Sequence, residues 1–233
     1  MTLTELEQIV PALCEYTQNM PDDIRSRCTV RTHKAGSIIH HKDEILTHFG
    51  IVAIGENRVI NEFENGNIYM IEGNHAIDFI GEVTLLAGQP CTSVTIEALT
   101  DNVVAYISRK DAEQWIASDM NILRLVSSHT AFKLYRSSYH NGAKLFYPPG
   151  YLLLDYLVNN GKEQQIRPGI WVTIQRTRQM LQEELGINVK TLNRTISQLK
   201  NEGFFNVQKG KIVFNYEQYV NMQNWLKFSR GLL

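Results

Sequence analysis

Residues 177–203 read TRQMLQEELGINVKTLNRTISQLKNEG and contain two helical patterns on either side of a glycine. In the first pattern Met180, Leu181 and Leu185 share one face, as the 3.6-residue period requires. Gly186 permits the left-handed backbone of a tight turn. The spacing therefore predicts a helix, a sharp turn and a second helix.

The second helix of this stretch has a polar tip. Ile187 is placed to fill the angle between the helices, and Asn188 is a favourable N-cap residue. Leu192, Ile196 and Leu199 form the inner face, so the other positions of the first two turns point outward. Polar and cationic side chains at outward positions can reach base edges in the major groove, which predicts a helix-turn-helix. The outward residues are Val189, Lys190, Asn193, Arg194 and Ser197.

A basic hairpin follows these helices. Segments 204–207 and 211–214 are short apolar stretches separated by a turn at 208–210. Lys209 and Lys211 lie at the tip, where they could contact phosphates. The pattern predicts a wing beside the second helix.

Taken alone, the net charge of −1 argues against a polyanionic partner, but the charge is unevenly distributed. From Phe146 onward there are 11 Lys and Arg against 6 Asp and Glu, whereas the earlier residues have 12 against 18. A basic segment of this kind is what binding to a phosphate backbone requires. We therefore expect double-stranded DNA as a partner of the last third of the chain.

The residues from about 30 to 108 have the pattern of a β-structure, with short apolar stretches separated by turn signals. The clearest signal is ENGN at 64–67, where Asn-Gly suits a type I′ turn between strands at 58–63 and 68–71. About seven short strands at this spacing predict a sandwich, jelly roll or barrel.

A long helix is expected after the strands, because residues 112–142 contain no proline and Asp111 lies near the start. Two registers of a coiled-coil seam are compatible with the sequence. Either register gives a narrow apolar stripe along the helix. This stripe packs on its own domain or, as we favour, pairs with the same helix of a second chain. The first register is Leu125, Ser128, Phe132, Tyr135 and Tyr139; the second is Ile122, Leu125, His129, Phe132, Arg136 and Tyr139.

The predicted fold class is α+β. It comprises an N-terminal double-stranded, jelly-roll-like β-roll, a long dimerisation helix and a C-terminal winged helix-turn-helix. The prolines and glycine at 147–150 make a natural hinge after the long helix. We accordingly predict a sensor domain at 1–110, a dimerisation helix and hinge at 111–145, and a DNA-binding domain at 146–233.

These motifs resemble those of the Crp/Fnr regulators, the cyclic AMP receptor protein superfamily. The match covers the TRQ-x₆-G motif, the β-roll segment ENGNIYMIEGNHAIDFIGEVTLLAGQP at 64–90, and the position of the long helix. The resemblance implies a homodimeric transcription regulator on palindromic operators, with RNA polymerase as a further partner. Lys190 departs from the family's frequent glutamate and predicts a different half-site. By this resemblance the DNA-contacting residues are Thr177, Arg178, Gln179, Val189, Lys190, Asn193, Arg194, Ser197, Lys209 and Lys211.

The resemblance also implies an effector pocket in the roll. In nucleotide-binding members a Gly-Glu pair contacts the ribose and a following Arg-Ser/Thr contacts the cyclic phosphate; here Thr92 stands where the arginine would be. Losing that charge-assisted contact disfavours a buried phosphate by roughly 1.5–3 kcal/mol, so we do not expect cyclic AMP to bind. The effector is therefore an unknown small molecule or a redox signal. The implied pocket residues are Gly81, Glu82, Thr92, Ser93, Ser137 and Ser138.

Other cofactors and activities find little support in the sequence. Cys14, Cys28 and Cys91 are too few and too far apart for an iron–sulfur cluster, and we expect each to be a free buried thiol, with redox sensing by Cys91 left open. A haem- or metal-sensing regulator of the same fold stays an alternative, as does a cyclic-nucleotide-responsive one. Because His40 and His41 would point to opposite faces of a strand, we predict no metal site and surface roles for the histidines. These histidines of the roll are His33, His40, His41, His48 and His75.

We expect a cytoplasmic protein that is not an enzyme. No recognisable nucleophile constellation, phosphate-cradling loop or cupin His-x-His motif is present, so no catalytic residue is predicted. No apolar run reaches the roughly 18–20 residues of a membrane span, and the chain opens without a secretion signal. The few cysteines fit a reducing compartment.

Overall fold

The computed structural model describes residues 1–229, except for the side chains of residues 139–141, 143 and 145. The chain divides into two compact units, Met1–Ser138 and Tyr139–Leu233. The division falls inside a long helix, so most of that helix belongs to the first unit. Our three-part functional division at residues 110 and 145 stays a prediction. Within the described part of the chain, no helix is long and apolar enough to span a bilayer.

The first unit is built on two antiparallel four-stranded sheets that form the roll. The first sheet has the strand order β1-β8-β3-β6 and the second has the order β2-β7-β4-β5. The strands are β1 (Thr29–His33), β2 (Ile38–His40), β3 (His48–Ile54), β4 (Glu56–Glu62), β5 (Ile68–His75), β6 (Asp78–Ile80), β7 (Thr95–Ala98) and β8 (Asn102–Ser108).

The predicted hairpin at Asn65-Gly66 is present as β4 and β5, but its turn is of another type. The N–H of Gly66 donates to the carbonyl of Phe63, and Gly66 has a φ of 76° whereas Asn65 is not among the positive-φ residues. A type I′ turn needs positive φ at both central residues, so our predicted turn type is wrong. A turn followed by a left-handed glycine connects the strands instead.

Six helices complete the first unit and pack on the roll. Leu6, Ile24 and Trp115 from these helices are fully buried with Phe49 of β3 in one apolar cluster. A single turn of 3₁₀ helix lies between the first two helices. The α-helices are α1 (Leu3–Ile9), α2 (Cys14–Thr17), α3 (Asp22–Arg27), α4 (Glu82–Leu86), α5 (Arg109–Ser118) and α6 (Met120–Phe146).

The predicted long helix is broken at Asp119. This residue has φ −117° and ψ 108°, which are not helical. Its carboxylate accepts from the indole N–H of Trp115 at 3.1 Å and from the backbone N–H of Asn121 at 2.9 Å. One side chain thus ends α5 and caps the start of α6, a signal that helical periodicity does not contain.

Helix α6 turns one face to the roll and leaves another exposed. Ile122 and Val126 are buried in the apolar cluster of the first unit. Phe132 and Tyr135 of the first predicted register are 61% and 80% exposed, whereas Ser128 is a polar exposed member of the same stripe. The second register does not form one stripe, because its Ile122 faces the roll while Phe132 is exposed. The side chain of Tyr139, common to both registers, lies outside the described residues.

The second unit consists of helices around a small sheet of order β10-β11-β9. Its apolar cluster includes Tyr151, Leu154, Leu192, Phe205 and Phe214, all at most 1% exposed. Beyond the end of α6 the elements are α7 (Pro149–Glu163), β9 (Trp171–Thr173), α8 (Arg178–Leu185), α9 (Val189–Asn201), β10 (Asn206–Gln208), β11 (Lys211–Asn215) and α10 (Tyr216–Ser229).

The hairpin after α9 is present with a shifted first strand. We predicted this strand at 204–207, but Phe204 and Phe205 are buried in the apolar cluster and β10 begins at Asn206. Lys209 and Gly210 both have positive φ, at 47° and 78°, which is the backbone of a type I′ turn. The apolar pair thus anchors the hairpin to the helices instead of extending its strand.

Candidate nucleic-acid interface and effector pocket

The turn between α8 and α9 is set by local interactions. Thr177 caps α8, because its hydroxyl accepts from the N–H of Met180 at 3.1 Å. Gly186 has a φ of 68° and ends α8, since its N–H donates to the carbonyl of Gln182. Asn188 then caps α9 by accepting from the N–H of Thr191 at 2.9 Å. These bonds fix the direction in which α9 leaves the turn.

Helix α9 separates an apolar face from a polar one. Leu192, Ile196 and Leu199 are buried as predicted, and Ile187 fills the angle between α8 and α9 at 7% exposure. The outward side chains are all exposed, and none of the four polar ones has a hydrogen-bond or ion-pair partner within residues 1–229. These residues, which we call the α9 surface, are Val189, Lys190, Asn193, Arg194 and Ser197.

Some of the residues that we predicted to contact DNA at the start of α8 already interact with other parts of the protein. Gln179 is exposed, but its amide donates to the carboxylate of Glu183 at 3.1 Å. Arg178 is half-buried, and burial lowers the pKa of its guanidinium. Arg176, which we did not predict as a functional residue, pairs with Glu184 at 2.8 Å. Arg178 is thus only partly accessible to a ligand, and Thr177 serves as a cap.

The two lysines of the hairpin differ. Lys209 is exposed at the turn and has no described partner. Lys211 is half-buried, and its ammonium donates to the carbonyls of Gln175 at 2.9 Å and Arg176 at 3.4 Å. Lys209 is therefore available to an outside anion, whereas Lys211 joins the hairpin to the segment that precedes α8.

The Gly-Glu pair of the roll lies at a corner that α6 covers. Gly81 has a φ of 84° and precedes α4, and Glu82 is the first residue of that helix. The Glu82 carboxylate is buried and lies 2.8 Å from the ammonium of Lys133 on α6. Asp78 of β6 is equally buried and accepts from the same ammonium, also at 2.8 Å.

Two further contacts join α6 to the roll beside this corner. Nδ1 of His129 lies 3.5 Å from Oδ1 of Asp78, and Arg136 pairs with Glu72 of β5. Arg136 also donates to the carbonyl of Gly73 at 3.3 Å. We call the whole set the roll–helix cluster; it comprises Glu72, Asp78, Glu82, His129, Lys133 and Arg136.

In the roll–helix cluster, burial and ion pairing shift the pKa values of the side chains in opposite directions. Burial acts to raise the pKa of Asp78, but the bonds to His129 and Lys133 outweigh it and leave that pKa below its usual value. Burial prevails at Glu82 and Glu72 and raises both pKa values, although Lys133 and Arg136 act against it. The two carboxylates around Lys133 outweigh its own burial and raise the pKa of the ammonium. The cluster is thus held together by one buried cation between two carboxylates.

The other predicted pocket residues are not joined to this corner by a described bond. Thr92 is buried, and its hydroxyl donates to the carbonyl of His41 at 2.9 Å and lies 2.7 Å from Nε2 of His40. Ser93 is exposed. Ser137 and Ser138 donate their hydroxyls to the carbonyl of Leu134 in their own helix, at 3.1 and 2.8 Å. Each hydroxyl except that of Ser93 therefore has a partner inside the protein.

The cysteines and histidines form no centre within the described residues. Cys14 is exposed, which corrects our expectation that it is buried, and burial raises the pKa of the Cys28 thiol to about 11. No group of three metal-ligating side chains is found among the described residues. His33 lies 2.8 Å from the hydroxyl of Tyr106 and is half-buried, so it is not a plain surface residue.

Sequence reasoning missed the cations of the roll–helix cluster. Lys133 and Asp78 were not predicted as functional residues, and His129 and Arg136 were considered only as seam positions. One signal was available: residues 129, 133 and 136 repeat at helical spacing and carry a cation or imidazole each. A stripe of this kind beside acidic residues of a roll indicates a helix that docks through charge.

The comparisons with known proteins fit this architecture. Residues 30–119 match the family model of the cyclic nucleotide-binding domain, which covers most of the roll together with α4 and α5. The chain also shares its fold with solved structures that include a regulator of the CRP/FNR family.

Two relatives are bacterial regulators. The chain is 24% identical over 220 residues to the cAMP-activated global transcriptional regulator CRP of Haemophilus influenzae, covering 92% of this chain and 97% of that protein. It is 25% identical over 194 residues to the protein of the same name from Salmonella typhimurium, covering 82% of this chain and 91% of that protein. Transcription regulators therefore match the chain over almost their whole length.

Solved structures share the fold at lower identity. The c-di-GMP responsive global regulator CLP of Xanthomonas campestris has a TM-score of 0.74 at 15% identity, over 82% of this chain and 95% of that one. A CooA mutant from Carboxydothermus hydrogenoformans has a TM-score of 0.71 at 12% identity, over 97% and 96%. A transcriptional regulator of the CRP/FNR family from Thermus thermophilus has a TM-score of 0.68 at 17% identity, over 84% and 98%.

Proposed function

We propose that this chain is a DNA-binding transcription regulator of the Crp/Fnr type that works as a cytoplasmic homodimer and recruits RNA polymerase. Helices α8 and α9 are its helix-turn-helix and β10–β11 its wing. The α9 surface carries this proposal, because its exposed polar side chains have no described partner in the protein. Unpaired cations and amides at the first turns of a helix suit phosphates and base edges.

Arg194 tests the DNA-binding proposal. Fluorescence anisotropy with a labelled palindromic duplex should show binding that weakens steeply with salt. The reason is that Lys and Arg side chains that neutralise phosphates release the counterions condensed on the DNA. Arg194→Ala should weaken specific binding by about 1–3 kcal/mol and relax the preference at one base pair. Arg167→Ala is the matched control: Arg167 is exposed in the loop before β9 and carries the same charge. Equal binding by wild type and Arg194→Ala would refute the role of this residue.

The exposed stripe of α6 supports the homodimer. Ser128, Phe132 and Tyr135 are exposed and follow one another at spacings of 4 and 3 residues, which is the spacing of a two-stranded helix pair. Leu125, three residues before Ser128, is half-buried against the apolar cluster of the first unit. An aromatic stripe that stays exposed in the isolated chain gains about 25 cal/mol for each Å² that a partner helix covers.

Analytical ultracentrifugation tests the dimer. We expect the wild type to sediment as a dimer and Tyr135→Glu as a monomer, because a partner helix would bury the new carboxylate. Phe63→Glu makes the same kind of change at a 51% exposed aromatic in the β4–β5 turn and should leave the dimer intact. A Tyr135→Glu protein that still sediments as a dimer would show that this stripe is not the interface.

A cyclic-nucleotide-responsive regulator is the second candidate, and the match to the cyclic nucleotide-binding domain favours it. Against it, Thr92 stands where the family has its arginine, and Glu82 is already paired with Lys133. We therefore propose a different effector for this roll. Calorimetry with micromolar cyclic AMP should give no heat; a clear isotherm would establish the second candidate. A Soret band in the purified protein would instead indicate a haem sensor.

A further inference from the structure

The α9 surface consists of two strips that differ in charge. Residues four positions apart on a helix lie on nearly the same side of it, because four residues complete little more than one turn. Val189, Asn193 and Ser197 therefore form one strip, which carries no charge. Lys190 and Arg194 form a second strip beside it, which carries two positive charges.

Val189 is an apolar residue at the exposed start of α9. The three other large apolar side chains of this helix are at most 4% exposed, whereas Val189 is 38% exposed. Its side chain has no polar atom, so it can bond neither a phosphate nor the donors and acceptors of a base edge. Among the groups that base pairs present in the major groove, the thymine C5-methyl group is the apolar one.

Asn193 carries a donor and an acceptor side by side in one neutral amide. The side chain is exposed and has no described partner within residues 1–229. Adenine presents the complementary pair in the major groove, an N7 acceptor beside an N6 donor, whereas guanine presents two acceptors. The amide can therefore form a bidentate pair with adenine, but its oxygen finds no donor on guanine.

The spacing of the two side chains limits where their bases lie. Four residues advance about 6 Å along a helix, and successive bases of one strand are about 3.4 Å apart along the DNA axis. Contacts made by Val189 and Asn193 therefore fall within about two base-pair steps of each other. The cationic strip beside them supplies the attraction to the phosphate backbone.

We propose that Val189 and Asn193 select A·T base pairs in the operator half-site. Val189 packs on the C5-methyl group of a thymine, and Asn193 forms a bidentate pair with an adenine close to it along the groove. This inference rests on the proposed function, because it needs α9 in the major groove of DNA. It adds to that function a chemical description of the sequence that is bound.

Selection from a randomised pool identifies the half-site before any base is altered. The full chain would be incubated with palindromic duplexes whose half-sites are randomised, and the bound duplexes would be sequenced. We expect the selected half-site to contain a thymine and an adenine within about two base-pair steps. A selected half-site of G·C pairs alone would overturn the proposal.

Replacing thymine by uracil removes the C5-methyl group and leaves the base pairing intact. Each thymine of one selected half-site would be replaced in turn and the affinity measured by anisotropy. At one position the wild type should bind the uracil duplex about fourfold more weakly, the effect of exposing one methylene-sized group. Val189→Ser removes both methyl groups of the side chain and should bind the two duplexes equally. Val83→Ser is the control, because Val83 is a 51% exposed valine of α4 and its replacement should preserve the fourfold loss.

The adenine contact is tested with 7-deazaadenine, which has a C–H group in place of the N7 acceptor. The wild type should bind a duplex with this base in one half-site about fivefold more weakly, the loss of one hydrogen bond. Asn193→Ala should bind both duplexes equally. Asn201→Ala is the control, because Asn201 is exposed at the other end of α9 and its replacement should preserve the loss.

The outcomes separate this inference from the proposed function. If the chain binds no duplex with a salt-dependent affinity, the proposed function fails and the inference fails with it. If the chain binds duplexes but selects no sequence, or if the wild type tolerates both altered bases, the inference alone is refuted. A uracil loss that persists in Val189→Ser, or a deazaadenine loss that persists in Asn193→Ala, refutes the role of that side chain.

Discussion

The α9 surface and the roll–helix cluster are both charged, but only the cluster has its partners inside the protein. Lys190 and Arg194 project into solvent with no described partner. Lys133 is buried between two carboxylates, each 2.8 Å away. Solvent stabilises the ions of the first region, whereas bonds within the protein must stabilise those of the second.

This difference separates residues that are free to bind a ligand from residues that hold the fold. An exposed unpaired cation contributes little to folding and can bind a ligand without breaking any contact inside the protein. A buried paired cation cannot leave its site without exposing two carboxylates to an apolar surrounding. Substitutions in the cluster should therefore change stability first, and substitutions on the α9 surface should change only affinity.

The largest expected effect follows from removing the central cation of the cluster. Lys133→Met keeps much of the side-chain volume but leaves Glu82 buried without its cation and Asp78 with only the imidazole of His129 beside it. Losing one partner of a buried pair costs about 3–5 kcal/mol, which we expect in the free energy of unfolding. Urea unfolding followed by circular dichroism measures it. Lys34→Met is the control, because Lys34 pairs with Asp101 at a site where both side chains are exposed, and it should cost at most about 1 kcal/mol.

Glu82→Gln sharpens the same comparison by removing a charge instead of stranding one. Burial raises the pKa of Glu82, so the ionised carboxylate is disfavoured in the folded protein. The protonated carboxyl therefore favours folding at low pH, and this contribution to the free energy of unfolding is lost as the pH rises through the pKa of the folded protein. Glutamine abolishes this cost and leaves Lys133 paired with Asp78. The expected change in unfolding free energy at pH 7 is therefore much smaller than for Lys133→Met. Equal losses would mean that the ionised carboxylate of Glu82 contributes as much to the stability of the cluster as Lys133 does.

The sequence alone was sufficient to predict structure where the signals act between residues close together in the chain. The caps at Thr177 and Asn188 and the left-handed Gly186 each act within three or four residues, so spacing alone predicted α8, the turn and α9. The same holds for the hairpin β4–β5, although its turn type depends on whether Asn65 adopts positive φ, which the Asn-Gly pair permits but does not require.

The sequence alone was not sufficient to predict contacts between residues that lie far apart along the chain. The cluster joins Asp78 to His129 and Lys133, more than fifty residues along the chain, and the contact depends on which face of α6 turns to the roll. That choice is made by the burial of Ile122 and Val126, which helical periodicity cannot distinguish from a dimer seam. The break at Asp119 was missed for a related reason, since it depends on a bond to the Trp115 indole.

The smallest expected effect concerns the two hairpin lysines, which repeat the contrast between free and paired cations two residues apart. Lys209→Gln removes a free cation and should weaken binding about equally for all duplexes, lowering the slope of log affinity against log salt by about 1, with unfolding unchanged. Lys211→Gln removes an ammonium that donates to two carbonyls, so it should lower the free energy of unfolding by about 1 kcal/mol. Its effect on the salt slope should be the smaller of the two, because that ammonium already has partners. Anisotropy at several salt concentrations and urea unfolding of both variants measure the two effects. A salt slope that depends on Lys211 and not on Lys209 would show that DNA draws the ammonium from its carbonyls, and that pairing inside the protein does not exclude a role in binding.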